Sequence, residues 1–232
     1  MALAPDGSKV RVAMGNSEIE KMLLDPDFDF LQPWFYTNRY ALRCELALGG
    51  SWDERLKSAL LRARQIYDIL FPDGADAITF DHWYDSRDPE EKQNVELILP
   101  DGLKKYRHAC VRGLKTGEEG DEEYETERRD RLVCYSDGIG FDDLAVLAKQ
   151  IDEESGVEDG FVPEPYKSIM SDVKLVSEKN ECIMCVYDDR GCDIVFATHE
   201  KLREFYPVLK PYFLLYDLDE MERRLNGDTE AE

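Results

Sequence analysis

Three short apolar runs near the C-terminus, Val173–Val176, Cys182–Tyr187 and Cys192–Ala197, constrain the fold more than any other feature of the chain. Each is too short for a stable helix and is dominated by Val, Ile, Leu, Met and Cys. Between them lie Ser177 with the turn-like Glu178-Lys179-Asn180-Glu181, and the turn Asp188-Asp189-Arg190-Gly191. Parallel strands need a crossover of a dozen or more residues, so links this short join antiparallel neighbours. A three-strand meander is predicted, and a fold without an antiparallel ladder is excluded.

The rest of the chain supplies the sheet with partners and cover. From Ala41 to Leu48, the residues Leu42, Cys44, Leu46 and Leu48 alternate with Arg43, Glu45 and Ala47, the period of a half-buried strand. After Gly49-Gly50-Ser51, Leu56, Leu60, Ala63, Tyr67 and Leu70 recur at helical spacing, and Phe71-Pro72-Asp73-Gly74 stops the helix. Ala77–Phe80, Val95–Leu99, Tyr106–Val111 and Arg131–Tyr135 read as further strands. Ser17 followed by Glu20 has capping-box spacing and opens a brief helix to Leu24. Phe141–Glu154 has an apolar stripe, Thr198 can cap a helix through Glu204, and a last helix is expected after Pro211 as far as Leu225. Strands and helices intermixed through hairpin-like links predict an α+β fold, a mixed or antiparallel sheet packed against several amphipathic helices. A single domain over 1–232 is expected, with an acidic exposed insertion near 116–130. The alternative places a boundary there, between subdomains 1–115 and 131–232.

Charge narrows the partners. Fifty-one acidic against 29 basic residues give a formal net charge of −22, which repels nucleic acid and anionic lipid at long range. The acidity is clustered: 118–130 carries −6, 152–159 carries −5 and 217–232 carries −5. Such clusters are either solvated loops and a tail, or a face that meets a basic partner, where complementary fields speed association and favour the right partner. No apolar run approaches a bilayer span, and the opening residues lack a basic region followed by an apolar one. A soluble, cytoplasmic protein with reduced cysteines is expected, with no membrane or direct nucleic-acid contact.

Local chemistry is sparse. Cys182 and Cys185 have metal-knuckle spacing, and Cys192 and His199 complete four soft ligands for zinc. Against that set, Cys-Ile-Met-Cys-Val-Tyr is a strand-like run without the glycine of a knuckle, and buried free cysteine is commonly a small hydrophobe. No metal and no cofactor are expected. His82, His108 and His199 stand beside no nucleophile, and Gly138-Ile139-Gly140 is too short for a phosphate loop. The stretch Tyr187-Asp188-Asp189-Arg190-Gly191-Cys192-Asp193 reads as a turn held by an Arg–Asp network, or as a carboxylate–arginine site made of Asp188, Asp189, Arg190 and Asp193.

That stretch, with Tyr212-Phe213-Leu214-Leu215-Tyr216-Asp217 further on, resembles an uncharacterised bacterial family of unknown function with a Y-D-D-R-G-x-D turn. Phe35-Tyr36, Asn38, Ala41-Leu42-Arg43-Cys44-Glu45-Leu46 and Arg62-Ala63 look like the same family's N-terminal pattern; Cys44 in place of an aromatic and the acidic insertion depart from it. The resemblance covers most of 34–220 and implies a bacterial cytoplasmic accessory protein. With the charge, it is similar in character to immunity proteins, which neutralise a cognate toxin by docking on it. The expected partner is a protein toxin with a basic surface, met by Glu122, Glu123, Tyr124 and Glu125 and by Asp219, Glu220 and Glu222. The alternatives are a hydrolase or other enzyme using the Asp188–Asp193 turn, and a regulatory binding module.

Overall fold

The computed structural model describes residues 17–25, 28, 34–88, 107–115, 127–140, 174–187 and 190–227. The expected strand Val95–Leu99 and helix Phe141–Glu154 lie outside them.

Among the described residues, seven strands form one antiparallel sheet in the order β1-β7-β6-β5-β2-β4-β3. They are β1 Ala41–Glu45, β2 Ala75–Asp85, β3 Arg107–Lys115, β4 Glu127–Ile139, β5 Lys174–Ser177, β6 Cys182–Val186 and β7 Gly191–Phe196. The helices are α1 Glu18–Leu24, α2 Trp34–Thr37, α3 Trp52–Leu70, α4 His199–Leu209 and α5 Leu218–Asn226. The fold is α+β, and its meander is the predicted β5-β6-β7. None of the described helices is long and apolar enough to cross a membrane.

Charge does not mean exposure at the start of β4. Of the exposed acidic insertion expected near 116–130, residues 116–126 lie outside the described residues, whereas its end belongs to β4, which begins at Glu127 and buries Arg129 and Asp130. Period-two geometry explains this. Arg129 and Arg131 point to one face and converge on Asp81 of β2, at 3.1 and 3.2 Å. Asp130 points to the other, where it accepts hydrogen bonds from the Tyr84 hydroxyl and the Gly113 N–H and pairs with Arg112. Strand β2 likewise outruns its apolar tetrad, Ala77–Phe80, because Asp81 and Tyr84 are buried through these polar contacts.

Strand β1 is buried on both faces. Leu42 and Cys44 are fully buried as the alternation predicts, and Ala41 is fully buried on the opposite side. Register places Arg43 beside Asp193, then Cys185, Lys174 and Thr79, in one row across five strands. This polar-rich face lies under α1 and α2: Lys174 sits over the Trp34 ring, and Arg131 donates to the carbonyls of Leu23, Asp25 and Phe28. On the opposite face Phe205 of α4 stacks on Phe196 of β7, with ring centroids 5.5 Å apart.

Helix α3 is fixed at both ends. Ser51 and Glu54 form a reciprocal capping box at its start, while Ser17 of α1 receives the Glu20 N–H without the return bond. Along α3, the Ser58 hydroxyl donates to backbone carbonyls at 46 and 48, and Arg62 donates to the Glu45 carbonyl. Asn180 donates to the Leu70 carbonyl at the far end. Helix α5 starts at Leu218, later than expected, because Lys210–Tyr212 and Leu215–Asp217 are separate 3-10 turns. Between them Phe213 forms an isolated bridge with Cys44, and the Leu214 N–H donates to the Arg43 carbonyl, covering the outer edge of β1.

Candidate functional site: an arginine cleft at the edge of the sheet

The β1–β7 pair brings distant parts of the chain together. Arg43 projects from β1 onto Asp193 of β7, its Nε donating to Oδ1 at 2.8 Å and its Nη2 to Oδ2 at 3.1 Å. The two side chains are 11% and 1% exposed, so this is a buried bidentate pair. The Phe35 N–H donates to Asp193 Oδ2 at 3.0 Å, and Arg43 Nη1 lies 3.5 Å from Asp217 Oδ2. Tyr36 donates its hydroxyl to Asp217 Oδ1, so Asp217 ties the aromatic pair of α2 to the start of α5. The guanidinium of Arg43 lies within 5.5 Å of the ring centroids of Phe35, Tyr36 and Tyr187. Burial works against its charge, but the hydrogen bonds and charge of Asp193 outweigh burial and hold its pKa above the ordinary arginine value.

A second arginine braces the same hub from α5. Arg224 lies over the Phe35 ring at 4.1 Å and donates to the carbonyls of Phe35, Asn38 and Ala41. Its Nε binds Glu220 at 2.7 Å. Burial, and then the neighbouring charge of Arg223, push its pKa down to about 10, which leaves it charged at neutral pH.

In front of this hub opens a cleft of about 560 Å³, lined by Arg43, Glu45, Ala47, Arg55, Tyr187, Arg190 and Leu214. The lining comes from β1 and its continuation, α3, the β6–β7 turn and the segment that covers the β1 edge. Gly191 is what lets the turn close: a Cβ there would press on the Tyr187 hydroxyl and lie 2.6 Å from the Cys44 carbonyl. The Leu46 N–H bonds the Arg190 carbonyl at 2.8 Å, locking the turn to β1.

The family comparison covers both segments that build this cleft. The domain of unknown function DUF3885 matches residues 21–217. The chain belongs to the DUF3885 family. No curated protein and no solved structure matches it. Within this DUF3885 domain, the 34–46 segment and the 187–217 segment meet side by side at Arg43, Asp193 and Asp217.

Of the residues singled out in the sequence, Arg190 is exposed at the cleft and Asp193 is buried behind it. Asp193 is therefore not a turn carboxylate: it is a strand residue whose oxygens are occupied by Arg43 and Phe35. Asp188, Asp189, Glu122, Glu123, Tyr124 and Glu125 lie outside the described residues. Asp219 and Glu222 are exposed on α5, whereas Glu220 is engaged by Arg223 and Arg224.

The four zinc candidates are not brought together. Cys182 and Cys185 are three apart on β6 and face opposite sides of the sheet. Burial raises the Cys182 thiol above its ordinary pKa, and a hydrogen bond with Cys44, then burial, raise that of Cys192. His199 turns its Nε2 to the carbonyls of Arg224 and Leu225. All six cysteines are free, and among the described residues no group of three or more His, Cys, Asp or Glu could hold a metal.

Tyr36, Arg43 and Asp217 stand in the sequence as residues of the family resemblance, and neither they nor Arg224 are singled out there as site residues. The available signal was an arginine in the polar phase of a strand that directly follows Trp34-Phe35-Tyr36. Aromatic neighbours of that kind bury an arginine stem and accept its charge on their faces.

Proposed function

We propose that this chain works by docking on another protein, as a bacterial immunity protein that neutralises a cognate toxin with a basic surface. The observation that supports this most is the pair Leu215 and Tyr216, which stand 77% and 86% exposed on a tightly fixed turn. Tyr36, also exposed, is tied to the same turn through Asp217. Interface hot spots are enriched in tyrosine, which brings a large amphipathic ring on only two side-chain torsions. Asp219 and Glu222 flank the turn, exposed on α5, and add to a net charge of −22. A basic partner is the one such a field attracts and orients.

An enzyme built on the Asp188–Asp193 turn fits less well. Asp193 is buried and engaged by an arginine and a backbone N–H, so a reaction run from this turn would have to proceed without it. Among the described residues, the cleft lining holds no histidine, cysteine or serine.

The test is affinity capture from the native host at low and high salt, with the wild-type chain beside a Leu215→Ala/Tyr216→Ala variant. A basic protein should bind the wild type and be released by salt. Its affinity for the variant should fall at least ~30-fold, the loss of a hot spot of about 2 kcal/mol. Equal retention by both chains, or recovery of nucleic acid in place of a basic protein, would overturn the reading.

A further inference from the structure

We propose that Glu20 and Glu178 form a proton-operated latch, which fastens α1 to the sheet while they hold a proton and loosens it once both are ionised. Separate elements deliver the groups. Tyr135 of β4, Ala77 of β2 and Val176 of β5 stand in one row across the sheet, on the same side as Arg131, which is the face under α1. Glu178 follows two positions beyond Val176, and its N–H donates to Asp76 Oδ2 at 2.8 Å, next to Ala77. Glu20 meets this row from α1: it is only 5% exposed, and the flanking Ile19 and Leu23 are buried with it.

Neither Glu20 Oε1 nor the hydroxyl of the buried Tyr135 has a hydrogen-bond partner among the described residues. An ionised oxygen buried without a partner is costly, and taking up a proton removes that cost. The charges around the pair add to it. Burial and then the charge of Glu178 raise the Glu20 carboxyl from 4.5 to about 6, burial and then Asp76 raise Glu178, and burial followed by Glu20 and Glu178 raises Tyr135. The cation set against them is Arg107 of β3, exposed in register with Tyr135. The nearby lysines are engaged elsewhere: Lys21 pairs with Glu18 on α1 itself, and Lys179 of the β5–β6 turn pairs with Asp73. A carboxyl that holds its proton more tightly docked than released favours docking in acid, and that contribution is lost as pH rises through its docked value. Arg131 does not titrate in this range and ties the carbonyls of Leu23, Asp25 and Phe28 at every pH, so the pH-dependent part of the docking falls to Glu20 and Glu178.

The experiment is hydrogen exchange of the full chain at about pH 5 and about pH 7.5, corrected for the intrinsic exchange rate at each pH. The amides of residues 21–24 close the turns of α1, as the Lys21 N–H does on the Ser17 carbonyl. Their protection should fall by about 8-fold between the two conditions, the change in opening equilibrium for a carboxyl at about 6 docked and 4.5 released. Glu20→Gln keeps the shape of the side chain without its charge and should abolish the fall. Glu178→Gln removes only the neighbouring charge and should shrink it, a response that a merely structural role for Glu20 would not give. Protection of α1 that is independent of pH, or a fall of wild-type size in either variant, would overturn the proposal.

Discussion

Arg43 and Asp193 form the contact on which the cleft rests, and their chemistry sets a large asymmetry between breaking and leaving the pair. Replacing Asp193 with alanine removes the bidentate partner of a guanidinium that is only 11% exposed, leaving it the longer contact with Asp217, and frees the Phe35 N–H. Breaking one side of a buried ion pair costs about 3–5 kcal/mol, so Asp193→Ala should lower the unfolding free energy in urea by about 3 kcal/mol or more. Lys21→Ala, which removes an exposed i,i+3 pair with Glu18, should change it by less than about 1 kcal/mol. Gly191→Ala is the second residue-level test. Its new Cβ meets the Tyr187 hydroxyl and the Cys44 carbonyl, and overpacking of this kind costs roughly 1–3 kcal/mol. A variant as stable as wild type in urea would mean that the β6–β7 turn is not pinned as described.

At the scale of elements, the meander was legible because apolar runs and turn residues agree there. Helix α3 was legible because its stripe from Leu56 to Leu70 continues for about four turns. The extent of β2 and β4 was not, since Asp81, Arg129 and Arg131 are polar letters that become core residues only when the strands pair and the charges meet. The hub was hidden for the same reason: Arg43 and Asp193 are 150 positions apart, and neither is remarkable until β1 pairs with β7. The N-cap at Ser17 and the helix to Leu24 were legible, but the return bond from Glu20 is not made, because spacing alone cannot tell an exposed glutamate from a buried one. Glu20 of α1 is buried, and its Oε1 finds no hydrogen-bond partner among the described residues. Burial first, and then the charge of Glu178, raise its pKa from 4.5 to about 6. A carboxyl raised in this way holds its proton more tightly folded than unfolded. Its contribution therefore favours the fold most below pH 4.5 and is lost as pH rises through about 6. Glu20→Gln should stabilise the chain at pH 7.5 and flatten the fall in melting temperature between pH 5 and pH 7. An unchanged slope would show that α1 does not hold Glu20 in that environment.

For the whole molecule, a net charge of −22 acts at two ranges. Within the chain it is self-repulsion, which salt screens over a Debye length of about 10 Å at 0.1 M, so the melting temperature should rise as sodium chloride goes from about 10 to about 300 mM. A flat or falling melting temperature would show that ion pairs such as those of Asp81 and Asp193 outweigh the repulsion. Outside the chain, the same field would attract a basic partner at long range, and the docking proposed above assigns the contact to the exposed Leu215 and Tyr216. The acidic total was plain in the sequence, but its use was not: Asp217 and Glu220 of the C-terminal cluster are spent on Arg43, Tyr36, Arg223 and Arg224, and only Asp219 and Glu222 are exposed on α5. The decisive measurement is growth of the native host while the captured basic protein is expressed together with wild-type chain or with Leu215→Ala/Tyr216→Ala. Neutralisation by docking predicts that the wild type restores growth and that the variant, folded and equally abundant, does not. Equal protection by both, or growth inhibition that the wild type leaves untouched, would contradict it.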